Sequence, residues 1–229
     1  MQTTSHATRS GHPHRPTRRT FSFTSPLLAD RATVPAAIRG GTAHLRPLRP
    51  GEPGPLMEVF EASSAASREA RYLAPVVRLP GAMVTALTAV DGCHHVAWLA
   101  TVDQRPAGLA RYVRVAGAPG QQVATAELAF EVVDAHQGRG LGAVLLDTIT
   151  TVALARGVRR VQATVGAGNT RSRALLERVG LQLAGRGSVL EGEGTLTLMD
   201  PPRVERPVVL CLVLGSAIRT SPRQRTASR

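Results

Sequence analysis

The longest regular pattern in the chain runs from Gly140 to Arg156, where apolar residues at 141, 144, 145, 149, 152 and 153 recur at helical spacing. Gly157 follows as a C-cap, so the stripe predicts a helix over 140–156. Upstream the pattern shortens. HHVAWLATVD (94–103) and AGLARYVRVAG (107–117) are brief, apolar and β-branched, and a polar turn at Gln104–Pro106 joins them into a predicted hairpin. Past the loop GAPGQQ (117–122), TAELAFEVVD (125–134) predicts a third strand.

On the far side of the long helix, RRVQATVGAG (159–168) predicts a strand. NTRSRALLERVG (169–180) predicts a helix with Asn169 as N-cap and Gly180 just past its end. LQLAGRGSV (181–189) and GTLTLMD (194–200) predict closing strands. Near the start, AHLRPLRPGE (43–52) predicts a short strand ending in a Pro-Gly turn. PLMEVFEASSAASREARYL (55–73) predicts one helix and PGAMVTALTAVD (80–91) another. The order β-α-α-β-β-β-α-β-α-β-β predicts an α+β (mixed α/β) domain over 43–200, with helices packed on a sheet. Residues 1–42, rich in Ser, Thr, Pro, Arg and Gly, are expected to be a disordered basic leader. Residues 201–229 are expected to be a basic tail whose order the pattern leaves open.

Charge changes this picture by where it lies. The formal net charge is +12, but residues 1–25 carry +4 and residues 203–229 carry +5, leaving +3 for everything between. The basicity belongs to the tails, which argues against a folded nucleic-acid reader. Every one of the 28 basic residues is arginine, since the chain has no lysine. Cys93 and Cys211 carry no metal or redox spacing, so a reduced, cytoplasmic protein is expected. His94 and His95 are adjacent on a strand and point to opposite faces, so they do not share a metal ion. The longest apolar candidate for a membrane span, VVLCLVLGSAI (208–218), is too short.

The candidate chemistry sits at HQGRGLG (136–142), where three glycines open the long helix. The first N–H groups of a helix lack internal partners, and its dipole makes that end positive. Glycines let the backbone turn and approach a ligand closely. The stretch therefore fits a phosphate or pyrophosphate cradle, with Arg139 adding charge. A P-loop is excluded because it needs a lysine, and the glycine spacing is not that of a dinucleotide fingerprint. The residues Gln137-Gly138-Arg139-Gly140-Leu141-Gly142 instead match Q/R-x-x-G-x-G/A. A plain glycine-rich turn without a ligand is the alternative.

From about residue 44 to 200 the chain resembles the GNAT family of N-acetyltransferases, particularly those of actinobacteria. The likeness lies in LRPLRPGE, the hairpin HHVAWLATVD…AGLARYVR, the strand AELAFEVVD, the loop QGRGLG, and Asn169 with Gly180-Leu181 eleven and twelve residues on. The resemblance implies a central, mostly antiparallel twisted sheet of six to seven strands, splayed at the acetyl-CoA site. It implies acetyl-CoA as co-substrate, no metal, and a primary amine as acceptor, on a small molecule or a protein lysine. It leaves room for a homodimer. It places main-chain groups near Val132 and Val133 on the pantetheine arm. Amides of Gln137, Gly138, Arg139, Gly140, Leu141, Gly142 and Ala143 would surround the pyrophosphate. Asn169 and Arg173 would reach the cofactor, though Asn169 also reads as a helix cap.

Amide formation needs a base to strip the acceptor ammonium of a proton. Glu127, ten residues before Gln137, matches the position where the family keeps a glutamate. Glu131 shares its face by strand alternation and is the alternative base, with Asp134 also near. The family's proton-donating tyrosine falls seven residues after Asn169, where this chain has Leu176. Ser172 or water is left for that role. Two functions follow: an acetyl-CoA-dependent N-acetyltransferase, or a module that binds acyl-CoA as sensor or scaffold and transfers poorly.

Overall fold

A computed structural model describes residues 32–115 and 124–217. Most of the expected leader, the whole 117–122 loop and the last twelve residues lie outside the described residues.

One sheet of eight strands organises the described residues. Its strands are β1 (Val34–Ile38), β2 (Gly41–Pro47), β3 (His95–Val102), β4 (Arg105–Arg114), β5 (Thr125–Val132), β6 (Arg160–Gly166), β7 (Gln182–Ala184) and β8 (Val189–Thr195). Their order across the sheet is β1-β2-β3-β4-β5-β6-β8-β7. Every pairing is antiparallel except β5 with β6. That matches the mixed, mostly antiparallel sheet expected from the sequence, with an extra strand at the start. Residues 34–38, read as part of the leader, form that edge strand.

Among the described residues the six α-helices are α1 (Pro53–Glu61), α2 (Ala65–Tyr72), α3 (Gly81–Thr88), α4 (Leu141–Ala155), α5 (Thr170–Glu177) and α6 (Arg206–Ala217). The single helix expected over 55–73 is two helices. Ser63 turns its hydroxyl back to the Val59 carbonyl (2.7 Å), and Ser64 caps α2 by accepting from the Ser67 amide (3.2 Å). The predicted hairpin forms as β3–β4, closed at Asp103 and Gln104, both at positive φ (49° and 64°), a two-residue turn that matches strand twist. The last two predicted strands shift. The chain turns at 185–188, and VLEGEGT pairs between β6 and β7, whereas 196–199 leave the sheet.

Two apolar layers cover the sheet. One packs α4 against Leu45, Trp98, Tyr112 and Leu128. The other packs α1 against Leu99, Leu109 and Val133, with Leu79 and Val90 closing its edge. Helix α4 is buried along most of its length because α6 covers its outer side. Asp147 anchors that cover. Fully buried, its carboxylate accepts from the amides of Arg203 (2.6 Å) and Val204 (3.2 Å) and from Arg206 Nε (3.0 Å) and Nη2 (2.6 Å). The segment read as a tail is thus tied to the core, where α6 buries Val209 and Val213.

Candidate active site

Strand β5 pairs with β6 only at Thr125↔Arg160, Ala126↔Val161 and Glu127↔Gln162. Its pairing with β4 continues to Val132↔Gly108, and β6 continues with β8 to Gly166↔Val189. The sheet therefore opens as a wedge beyond Glu127. The register fixes which backbone groups face it. Val115 N donates to Thr125 O (3.0 Å) and Val133 N to Ala107 O (3.0 Å), so the odd positions of β5 bond to β4. The even ones face β6: the Leu128 amide still closes the Glu127↔Gln162 pair, and Phe130 and Val132 turn their main-chain groups into the wedge. Val133, expected beside Val132 at the pantetheine arm, has both groups engaged, since its carbonyl accepts from His136 N (2.9 Å).

The wedge runs into a cavity of ≈ 1050 Å³ bounded by α2, β5, the start of α4, β6 and α5. At its mouth the chain makes a short turn over Asp134–His136 and enters α4 through Gly138 (φ 70°) and Gly140 (φ 91°). Positive φ explains glycine at both positions. No atom lies within 4 Å of a Cβ built there, so the space in front of them is open. Among the described residues, the amides of Gly138 to Gly142 have no backbone acceptor, whereas that of Ala143 donates to Gly140 O (3.1 Å). Leu141 contributes a buried core side chain.

The loop is held from two sides. The Asp134 carboxylate accepts from Ser64 N (2.7 Å), Ser64 Oγ (2.9 Å) and Ser67 Oγ (2.8 Å), which joins the loop to the first turn of α2. Burial tends to raise the Asp134 pKa, but these bonds outweigh it and hold it below its ordinary value. Gln137 Nε2 donates to Ser67 Oγ (3.0 Å) and to Val132 O (3.1 Å). Arg139 does not add its charge to the cradle as expected. Its guanidinium reaches back to Arg39 O (2.7 Å), Gly40 O (2.9 Å) and His136 Nδ1 (2.7 Å), clasping the β1–β2 turn.

Asn169 lines the cavity and caps α5, its Oδ1 accepting from Ser172 N (3.1 Å). Arg173 is turned away and donates to Ala167 O (3.0 Å), while Arg171 stands on the cavity wall in its place. Leu176, at the family's tyrosine position, is buried.

Glu127 and Glu131 lie on one face of β5, as alternation predicts, and both line the cavity. Glu127 sits at the last paired position before the wedge and is exposed. The Glu131 side chain is only 8% exposed, 3.8 Å from Arg71 Nε. Asp134 is committed to its serines. Arg71 and Tyr72, which no sequence pattern singles out, complete this wall from the end of α2. Burial, and then the Glu131 charge, push the Tyr72 phenol up to about 12.

Among the described residues, no group of His, Cys, Asp and Glu side chains is placed to hold a metal ion, and no helix is long and apolar enough to cross a membrane.

This architecture is shared. The family model described as "Acetyltransferase (GNAT) family" matches residues 63–181, just over half of the chain. Acetyltransferase Pat of Mycolicibacterium smegmatis is 31% identical over 158 residues, covering 67% of this chain and 46% of its own length. The chain thus spans about half of that curated relative. The crystal structure of the GNAT domain of S. lividans PAT superposes with a TM-score of 0.64 at 33% identity, over 72% of this chain and 97% of that one. A cAMP-binding acyltransferase from Mycobacterium smegmatis superposes with a TM-score of 0.53 at 25% identity, over 83% of this chain and 59% of that one. Sequence and architecture agree: the chain belongs to the GNAT family of acetyltransferases.

Proposed function

We propose that the chain transfers an acetyl group from acetyl-CoA to a primary amine, with Glu127 as general base. The observation that carries this reading is the meeting of two backbone surfaces in one cavity: the β5 edge beyond Glu127, which no strand pairs and where only the Gln137 side chain takes the Val132 carbonyl, and the amides at the start of α4. The pantetheine arm is a slim chain of amides and methylenes, which pairs with an open strand edge. The pyrophosphate fits helix N–H groups reached past two glycines. Bound acetyl-CoA supplies an activated thioester.

Glu127 then takes the proton of the acceptor ammonium, directly or through water, leaving a neutral amine able to attack. Its exposed position suits this task, because a solvated carboxylate returns the proton to bulk water. Asn169 keeps its side-chain amide for the cofactor arm while its oxygen caps α5. Proton supply to the leaving sulfur falls to water, Leu176 having none to give.

Leu176 also favours a second reading, a module that binds acyl-CoA but transfers inefficiently. One experiment separates the two. Acetyl-CoA is titrated calorimetrically into wild type and Ala143→Glu, a variant that keeps a good helix former and sets a carboxylate against the pyrophosphate. Amine-dependent thiol release is then measured for wild type and Glu127→Gln. Binding lost in Ala143→Glu and turnover lost in Glu127→Gln support the enzyme. Binding without turnover supports the module, and no binding by wild type overturns both.

A further inference from the structure

Six buried side-chain polar atoms among the described residues have no hydrogen-bond partner in the protein itself, and four gather in one place: Arg71 Nε, Tyr72 OH, Arg111 Nη2 and Glu131 Oε1, the first and last 3.8 Å apart. Buried polar atoms are rarely left so, and a cluster of them marks where a bound group completes the set. We propose that this cluster is a subsite for the carboxylate of the acceptor, so that the acceptor is a free amino acid. The inference rests on the acetyl-transfer reading and deepens it.

The placement follows from register. Arg111 stands opposite Ala129, and Leu109 opposite Glu131, so Arg111, Glu127 and Glu131 share one face of the sheet. Ala97 and Ala129 flank Arg111 and leave room above the strands. The last turn of α2 brings Arg71 and Tyr72 over that room. Arg71, Tyr72, Glu127 and Glu131 all line the cavity that holds the β5 edge. Arg111 is 3% exposed beneath them and fixed by its bond to Leu87 O (2.7 Å). Burial, and next the charge of Arg71, bring its pKa down to about 10, so the two guanidiniums feel each other.

The unfilled valences state the ligand. Three are donors and one is an acceptor, and two guanidinium charges face a single nearby carboxylate. A carboxylate accepts from Arg71 and Tyr72 while the Arg111 charge lies behind it. The ammonium of the same molecule donates to Glu131 and lies on the face that carries Glu127. A lysine side chain of a protein brings an ammonium and no anion. A polyamine brings further positive charge toward the guanidiniums.

The test uses the full chain, with acetyl-CoA binding measured first by calorimetry. Thiol release is then followed with each of the twenty amino acids, the decarboxylated amine of each, and a lysine peptide blocked at both ends. The expected result is kcat/KM higher by about 10- to 100-fold for at least one amino acid over its amine, from charge-assisted hydrogen bonds. In Arg71→Gln and Tyr72→Phe that ratio falls toward one through KM, and Arg71→Lys recovers part of it. Acetyl-CoA binding by each variant is the folding control. Failure to bind acetyl-CoA overturns the acetyl-transfer reading along with the subsite. Binding without turnover of any amino acid, equal turnover of amino acid and amine, preference for the peptide, or a ratio untouched by Arg71→Gln overturns the subsite alone.

Discussion

Replacing Asp147 with alanine removes a fully buried carboxylate from between two helices. It strands the amides of Arg203 and Val204, which donate to one carboxylate oxygen, and frees the Arg206 guanidinium bound to the other. Arg206 is 21% exposed at its side chain and can turn to water, so its charge is recovered in part. The amides cannot. Breaking such a buried pair costs about 3–5 kcal/mol, and partial rescue of Arg206 points to the lower end, about 3 kcal/mol. Arg206→Ala should cost a similar amount, because it leaves the buried carboxylate with only its two amide donors. The double variant should cost less than the sum of the two singles. Urea unfolding measures this directly. With a slope of about 2 kcal/mol/M, a loss of 3 kcal/mol moves the midpoint down by about 1.5 M. A loss below about 1 kcal/mol for Asp147→Ala, the value of a surface pair, would refute the reasoning and mean that α6 is not anchored there.

Gly140→Ala places a side chain at φ 91° with no packing to gain, so it should lower stability by about 1–2 kcal/mol in thermal unfolding and weaken acetyl-CoA binding. Asp91 accepts from the amides of Cys93, His94 and His95, which outweigh the raising effect of burial and hold its pKa to about 2. Its folded pKa is depressed, so its stabilisation is present above the unfolded value near 4 and fades as pH falls toward 2; Asp91→Asn should flatten that limb of the stability profile. The His136 ring is held below its ordinary pKa by burial and then by the Arg139 guanidinium. Its contribution is likewise present above the unfolded value near 6.5 and lost on acidification, and NMR titration should show the His136 pKa rising in Arg139→Ala. Asp134→Ala should detach α2 from the loop, seen as faster amide exchange in both segments and weaker acetyl-CoA binding.

What the sequence reveals depends on whether a segment's reason to exist is local. Helix α4 and the β3–β4 hairpin carry their own periodicity and turn residues, and both form where expected. The wedge is half legible: QGRGLG marks the helix entrance, while the parting of β5 from β6 is a matter of pairing between distant segments. Strand β1, VPAAI, has small residues and a proline in a Pro/Ser-rich region, and exists because β2 lies beside it. Residues 190–193, the middle of VLEGEGT, read as the gap between two strands, yet the glycines of this strand admit close neighbours: a Cβ at Gly194 would collide with the Gly180 backbone. Helix α6 reads as tail until Asp147 supplies its partner. The Arg71, Tyr72, Arg111 and Glu131 cluster comes from three separate elements, so no motif announces it. Arg139 fits the cradle by chemistry and leaves it because the β1–β2 turn offers two carbonyls.

The wedge in the sheet also bears on solubility. An unpaired strand edge is ordinarily an invitation to aggregation, because any extended chain can dock on it. Here the bare edge of β5 is enclosed within the molecule. A second strand approaching Leu128–Val132 would have to enter between β5 and β6, which are joined at Glu127↔Gln162, with α2 and α5 bounding the same cavity. Bulky side chains on alternate faces have poor access there. A thread that carries amides but no side chains enters easily. The same parting of strands that opens these hydrogen-bonding groups to a slim chain withholds them from another polypeptide, so this inner edge lacks the exposure of the outer strands β1 and β7.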